Sequence, residues 1–264
     1  MGEIRRIQIK VESEHLAAAG ISDMGLFRSE NQDAIYLDKS GSFVLLADGM
    51  GGHERGAEAS QTIIDILQEV FQPERVESEL KDITAAEGVS AEFDGLFALI
   101  EKGIRRSNKL VFEKNRNEGI ERYMGSTLVG LMMANDLCVT WFNVGDSRLY
   151  RFRDTALSQL TEDHSAYAEW LNQDRTGVEP ARNIVTRAIG TKEDVIPDIG
   201  WEKGKKEDIY ILCSDGLSDM VDDNVISNII ERSDSVDRIA ANLLNAALDA
   251  GGPDNISIIV CKLI

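Results

Sequence analysis

Phe43-Val44-Leu45-Leu46-Ala47-Asp48-Gly49-Met50-Gly51-Gly52-His53 is an apolar run that ends on an aspartate and a glycine-rich turn. A short apolar run bounded by turn residues reads as a buried strand, so its last aspartate belongs at the rim of a sheet. The same junction returns in Phe142-Asn143-Val144-Gly145-Asp146, in Tyr210-Ile211-Leu212-Cys213-Ser214-Asp215-Gly216 and, with the aspartate leading the strand, in Pro253-Asp254-Asn255-Ile256. One rim aspartate is ordinary turn chemistry. Several on one edge repel each other unless a cation holds them, and oxygen-only ligands point to magnesium or manganese.

Chain direction tests whether they converge. Asp33 precedes the strand-like Ala34-Ile35-Tyr36-Leu37, Asp38 to Gly41 reads as a turn, and the run from Ser42 returns to Asp48. An antiparallel hairpin therefore sets Asp33 beside Asp48 at its open end. Leu128 to Met133 and Leu137 to Val144 flank Asn135-Asp136 in the same way and bring Gly125-Ser126-Thr127 near Gly145-Asp146, with Asp146 expected at a hairpin tip. Asp215 ends a strand and Asp254 begins one, so antiparallel neighbours place both at the same rim. If Gly216 to Asp219 makes a helical turn, Asp215 and Asp219 share a face.

The 264 residues supply ample material for a core, and 43% hydrophobic content with four prolines excludes a disordered chain. Forty-six acidic against 28 basic residues leave a net charge of -18, which disfavours nucleic acid as a partner. No apolar stretch approaches membrane-span length, and Met1 to Arg6 is not followed by a signal-type apolar core. Cys138, Cys213 and Cys261 lie in apolar runs and suit free thiols in a reducing compartment. With His15, His53 and His164 they form no zinc-type spacing. These features set the expectation of a soluble, cytoplasmic, monomeric protein with no membrane contact.

Ile7, Ile9 and Val11 alternate as in a first strand. Helical spacing joins Ile63, Ile64, Leu67, Val70 and Phe71, then Leu96, Leu99, Ile100, Ile104, Leu110 and Val111, and finally Val236 to Leu248, stopped by Gly251-Gly252-Pro253. Residues from about 73 to 94 read as a charged connection. The segment from about 165 to 183 has no clean period and reads as a flap anchored by Trp170 and Leu171 that returns to a strand-like Ile184-Val185-Thr186. Helix pairs separated by groups of strands predict α+β architecture over a single domain, 1–264.

Arg28 lies just ahead of the first carboxylate pair, and its guanidinium fork matches phosphate oxygens. It is expected to touch only the substrate. The glycines after Asp48 carry neither the dinucleotide fingerprint nor the phosphate-loop lysine, so they are read as a turn that lets the Gly49 backbone approach a metal. No nucleophile-elbow serine and no EF-hand loop is spelled out.

The ordered set Arg28…Asn31-Gln32-Asp33, Ala47 to His53, Gly125-Ser126-Thr127, Val144 to Arg148, Cys213 to Asp219 and Pro253 to Ile256 resembles the metal-dependent protein phosphatases (protein phosphatase 2C, PPM type), in the bacterial form of the Asp-Gly-Met-Gly-Gly motif. That resemblance implies a four-layer αββα sandwich, two central antiparallel β-sheets flanked by helix pairs, with two Mg²⁺ or Mn²⁺ ions at one edge. It implies that Asp48, Asp215 and Asp254 bind the core metals, that the Gly49 carbonyl binds the second, and that Asp33 acts near it directly or through water. Arg28 then binds phosphate, and Asp146 and Asp219 serve a weaker third metal. Gln32 stands where some members have a metal-contacting glutamate. His53 is offset from the histidine proposed elsewhere as general acid, and His164 reads as a structural residue before the flap.

The activity so implied is hydrolysis of phosphoserine and phosphothreonine in proteins by a hydroxide bridging two metals, opposing a Ser/Thr kinase in signalling. Two alternatives are a phosphatase-like module that binds a partner without turnover and a metal-dependent nuclease. The intact aspartate set weighs against the first and the charge against the second.

Overall fold

The computed structural model describes residues 6–51, 55–76, 89–119, 121–134, 137–173 and 175–264. The strands are β1 (Arg6–Glu12), β2 (Leu16–Asp23), β3 (Asp33–Leu37), β4 (Phe43–Met50), β5 (Gly125–Ser126), β6 (Leu128–Ala134), β7 (Cys138–Val144), β8 (Arg148–Arg153), β9 (Ala156–Gln159), β10 (Asp198–Lys203), β11 (Ile209–Cys213) and β12 (Ile256–Leu263). The helices are α1 (Arg55–Val70), α2 (Val89–Asn117), α3 (Ala166–Asn172), α4 (Asp215–Ser218), α5 (Asp223–Arg232) and α6 (Val236–Asp249). One sheet runs β1-β2-β12-β11-β8-β9; the other runs β10-β7-β6-β4-β3, with β5 on β4, and every pairing is antiparallel.

Side chains on a strand alternate faces, so each central strand here serves two cores. On β4, Phe43, Leu45 and Ala47 meet α1 and α2, while Val44 and Leu46 meet the opposite sheet. On β12, Ile256, Ile258 and Val260 meet α5 and α6, while Ile259, Cys261 and Leu263 face between the sheets. Apolar residues on both faces of one strand explain why these strands read as unbroken hydrophobic runs. Three cores separating four layers make the α+β, four-layer αββα sandwich expected above.

Several details differ from the sequence reading. Residues 77–88 of the charged connection lie outside the described residues, and α2 already begins at Val89. Leu110 is exposed because the buried face of α2 runs through Leu96, Leu99, Ile100, Ile104, Ser107, Asn108, Val111 and Asn115. Those two asparagines are buried for a reason: Asn115 donates to Met124 O and Gly190 O, and Asn108 to Lys192 O and Glu193 O. They fasten the chain that returns from the flap. Ile184 to Thr186 forms no strand, only an isolated bridge from Val185 to Ser165. The flap contains the short α3, capped by Ser165 Oγ, which accepts from Ala168 N–H at 3.2 Å. Trp170 is half-buried against Tyr167, but Leu171 is exposed and anchors nothing.

Gly130 on β6 pairs with Phe142 on β7, and a Cβ at Gly130 would lie 2.1 Å from the buried Phe142 ring. Overpacking a site whose neighbour is locked in a core costs about 1–3 kcal/mol. Gly130→Val should therefore lower the urea midpoint without changing the slope of the transition. An unchanged midpoint would show that the ring has room to move.

Candidate active site

The β3–β4 register pairs Asp33 directly with Asp48. On the facing sheet, β11 and β12 pair Cys213 with Ile258, so Asp215 and Asp254 leave their strands at the same end. Ser214 precedes α4, whose single turn closes with Asp219 N–H donating to Asp215 O at 2.8 Å; the two carboxylates thus lie four residues apart along one turn. Asp146 is not at a hairpin tip. β7 and β8 belong to different sheets, so Gly145-Asp146 is where the chain crosses between them. Gly145 makes that crossing at φ 112°, with Thr127 occupying the space a side chain would need.

Carboxylates gathered at one rim repel one another. Asp48 is held well above the usual carboxylate range by burial and then by Asp33, Asp215, Asp146 and Asp254. Asp215 is raised likewise by burial and then by Asp146, Asp254, Asp219 and Asp33. Burial pushes Asp33 up to about 6 against the hydroxyls that bond it. Asp146 also rises to about 6, again chiefly through burial. Asp219, though exposed, is raised by partial desolvation.

One guanidinium meets this ring. Arg28 Nη2 donates to Asp254 Oδ2 at 2.6 Å. Burial pulls the guanidinium pKa down, but Asp254, Asp215 and Asp48 more than offset it. Arg28, expected to touch only the substrate, is thus also an ion-pair partner of Asp254. Its exposed side chain still borders the cleft of about 200 Å³ that Arg28 lines with Ser29, Glu30, Gln32, Gly51 and Asn255. Gly49 admits no side chain, because a Cβ there would fall 2.1 Å from Gly56 O and 2.5 Å from Gln32 O.

Strand parity gives partners to several motif residues and adds two, Ser22 and Ser257, that the sequence reading did not single out. Past the apolar stretch, the layer between the sheets turns from hydrocarbon to hydroxyl. Ser214 Oγ donates to Asp33 Oδ2 at 3.0 Å and accepts from Ser257 N–H at 3.0 Å. Ser257 Oγ donates to Ser22 Oγ at 2.7 Å, and Asn31 Nδ2 donates to the same oxygen. Across the rim, Asp48 N–H donates to Thr127 Oγ1, which bonds Ser147 Oγ at 2.7 Å. The Asp48 carbonyl accepts from Thr127 N–H and Ser126 Oγ. Asn255 donates to Met24 O and Glu30 O and accepts from Gln32 N–H, which anchors the Arg28 loop at both ends. Ser214 and Asn255 stand beside Asp215 and Asp254 in sequence, a usable signal, and Ser126 and Thr127 lie in the Gly125-Ser126-Thr127 motif already singled out. Ser22 and Ser257 carry none.

Asp33 Oδ1 is buried with no hydrogen-bond partner. A buried acceptor without a donor is costly unless a cation serves it. Among the described residues no trio of His, Cys, Asp or Glu closes on a single point; the carboxylates ring the rim, with Asp254 drawn toward Arg28. Their chemistry still fits hard divalent ions, since the groups that converge are carboxylate and carbonyl oxygens. Gly52 and His53 lie outside the described residues. Cys138, Cys213 and Cys261 are free, and burial raises the Cys213 and Cys261 thiols to about 12, which makes them poor nucleophiles.

Known proteins are similar to this chain in sequence and fold. The chain is 31% identical to the serine/threonine protein phosphatase PstP of Mycobacterium tuberculosis, over 94% of this chain and 45% of that protein. It is 32% identical to the serine/threonine phosphatase Stp of Listeria welshimeri, over 91% of this chain and 93% of that one. The crystal structure of M. tuberculosis PstP superposes with a TM-score of 0.80 at 31% identity, covering 94% of this chain and 99% of that one. The catalytic domain of PstP in complex with two manganese ions superposes at 0.78, with 31% identity over 95% and 99% of the two chains. The chain spans less than half the length of full PstP but nearly all of Stp. The protein phosphatase 2C family model matches residues 28–250, and on that match together with these relatives the chain belongs to the protein phosphatase 2C family.

Proposed function

We propose that this chain is a metal-dependent serine/threonine protein phosphatase that hydrolyses phosphoserine and phosphothreonine esters in proteins. The observation that carries the reading is the ring of mutually raised carboxylates at the rim between two sheets, with Arg28 on its border. Asp48, Asp215, Asp254 and the Gly49 carbonyl are the proposed holders of two Mg²⁺ or Mn²⁺ ions, with Asp33 close by and Asp146 and Asp219 serving a weaker third. The two manganese ions of the PstP catalytic domain support that assignment. Bound divalent ions would supply Lewis acidity and activated water at neutral pH.

The chain's own residues do the rest. Arg28 swings from Asp254 to the phosphoryl oxygens, where its fork orients the ester and balances charge. Ser214 holds one oxygen of Asp33 and so fixes where the other is presented. The Ser126–Thr127 pair fixes the Asp48 backbone from two sides. With both thiols of the core inert, the reading needs no covalent phosphoenzyme.

The finer parts of this proposal are one phosphatase domain over 1–264, a monomer, a cytoplasmic signalling role, and a Ser/Thr kinase as the opposing enzyme. The first is supported by β12, which joins the two ends of the chain by pairing with β2. The compartment is supported by the free cysteines. Phosphoproteins are the proposed partners, and the net charge of -18 argues against nucleic acid. Among the described residues no helix is long and apolar enough to cross a membrane.

Added Mn²⁺ should release phosphate from p-nitrophenyl phosphate and from a phosphothreonine peptide, and a chelator should abolish both. Turnover that survives exhaustive chelation, with metal content verified, would sink the reading. Asp215→Asn should cut turnover about a hundredfold or more, because an amide replaces an anion among the proposed ligands. The same change relieves repulsion in the metal-free protein, so its melting temperature should equal or exceed wild type. Lower stability with normal turnover would make Asp215 a turn residue. Arg28→Ala should raise KM about tenfold, in line with loss of a charge-assisted hydrogen bond. It frees Asp254 as well, so half-activation should need no more Mn²⁺ than in wild type. An unchanged KM and unchanged inhibition by phosphate would leave Arg28 at the surface.

A further inference from the structure

One buried imidazole stands between the candidate site and the flap. His164 Nδ1 accepts from Gly145 N–H at 2.9 Å, so that nitrogen carries no proton. The proton is on Nε2, which lies 3.1 Å from Asp198 Oδ2. Asp198 Oδ1 takes Arg187 Nη1 at 2.6 Å, and the same guanidinium nitrogen donates to Ile196 O. The His164 backbone grips the same places, with its N–H on Gly145 O at 3.0 Å and its carbonyl on Thr186 N–H at 2.8 Å. Asn143 Nδ2 adds bonds to Gly145 O and Glu162 O. Burial lowers the imidazole pKa more than Asp198 raises it, which favours the neutral ring this arrangement requires.

Gly145 sits in the left-handed half of backbone space and must be held there from outside, since glycine has no preference of its own. Residues 164 and 187 also flank the flap segment and its return through Ile184-Val185-Thr186. We infer that His164 is a positioning residue, which locks the Gly145-Asp146 turn through Nδ1 and ties both ends of the flap to that turn through Asp198 and Arg187. The Gly145 end of the tie is buried. The Asp198–Arg187 end is half-exposed, where a protein engaging the flap can reach it. Asp146 is placed through this tie, so flap movement and carboxylate placement are coupled. A histidine that merely fills space would have no need of two oppositely directed bonds with a fixed tautomer.

The inference rests on the phosphatase reading only in its kinetic arm, and the decisive measurements use the metal-free protein. Ring ¹⁵N NMR should show the Nε2–H tautomer, and amide exchange should show Gly145 N–H protected. His164→Ala should lose about tenfold of that protection and speed proteolysis between residues 165 and 183 by a similar factor. His164→Asn places Oδ1 where Nδ1 was but cannot reach Asp198. It should keep Gly145 protected, while flap cleavage still accelerates. With Mn²⁺, the Asn variant should retain kcat on p-nitrophenyl phosphate and raise KM for a phosphothreonine peptide, whereas the Ala variant lowers kcat on both. An Nδ1–H tautomer, or Gly145 exchange unchanged in His164→Ala, overturns the inference. Should that variant fail to fold, His164→Asn and Asp198→Asn decide: flap cleavage at the wild-type rate in both removes the tie.

Discussion

Strand parity in the layer between the two sheets is the constraint on which the structure depends. Val44 and Leu46 on β4, Leu212 on β11 and Ile259 on β12 fill that layer with hydrocarbon. The same parity carried to the rim delivers Asp48, Ser214 and Ser257 into it. Sliding any of these strands by one residue would turn its apolar set into the wrong core and its polar terminus away from the site. The register that buries the core is therefore the register that builds the rim, and fold and site cannot be specified separately.

Gathering carboxylates has an electrostatic cost. Desolvation is the first cause of every raised carboxylate in the ring, and their mutual repulsion adds to it. The protein offsets part of this with neutral donors rather than cations. Ser214 serves Asp33, and among the described residues Arg28 is the guanidinium bonded to the ring. A lysine or arginine at the serine positions would neutralise the cluster outright and leave little to attract a divalent ion. Hydroxyls steady the carboxylates while leaving their charge available, which suits a site meant to bind metal.

How legible this was from the sequence follows from the same physics. The strands apolar on both faces, β4, β11 and β12, stand out because each serves two cores, and their aspartates could be placed by chain direction alone. Asp33 opposite Asp48 needed nothing beyond hairpin geometry. β2 is hidden because Ala17-Ala18-Ala19-Gly20 has low strand propensity; its small residues answer to close packing, with Leu37 and Ile35 lying where a side chain on Gly20 would go. The sheet crossing at Gly145-Asp146 looks local, like a hairpin, and only the partner of β8 decides otherwise. α3 is amphipathic toward nothing, with no fully buried residue, so no period betrays it. The serine ladder is invisible for a deeper reason: Ser22 on β2, Ser257 on β12 and Ser214 just past β11 are far apart in sequence and become neighbours only when β2, β12 and β11 pair within one sheet.

The Arg28–Asp254 pair bears on how the proposed site would work. An exposed pair of this kind is worth little in free energy, about 0–1 kcal/mol, so it holds Asp254 only lightly. Two divalent ions brought to the ring would out-compete one guanidinium for that carboxylate and release Arg28 toward the cleft it already lines. The displaced arginine would then lie next to concentrated positive charge and would suit an anion such as a phosphate ester. On the proposed reading, metal loading and substrate affinity would be linked through one side chain. The link requires that Arg28 sit on a loop free to shift yet anchored at its base, as Asn255 anchors it through Met24, Glu30 and Gln32.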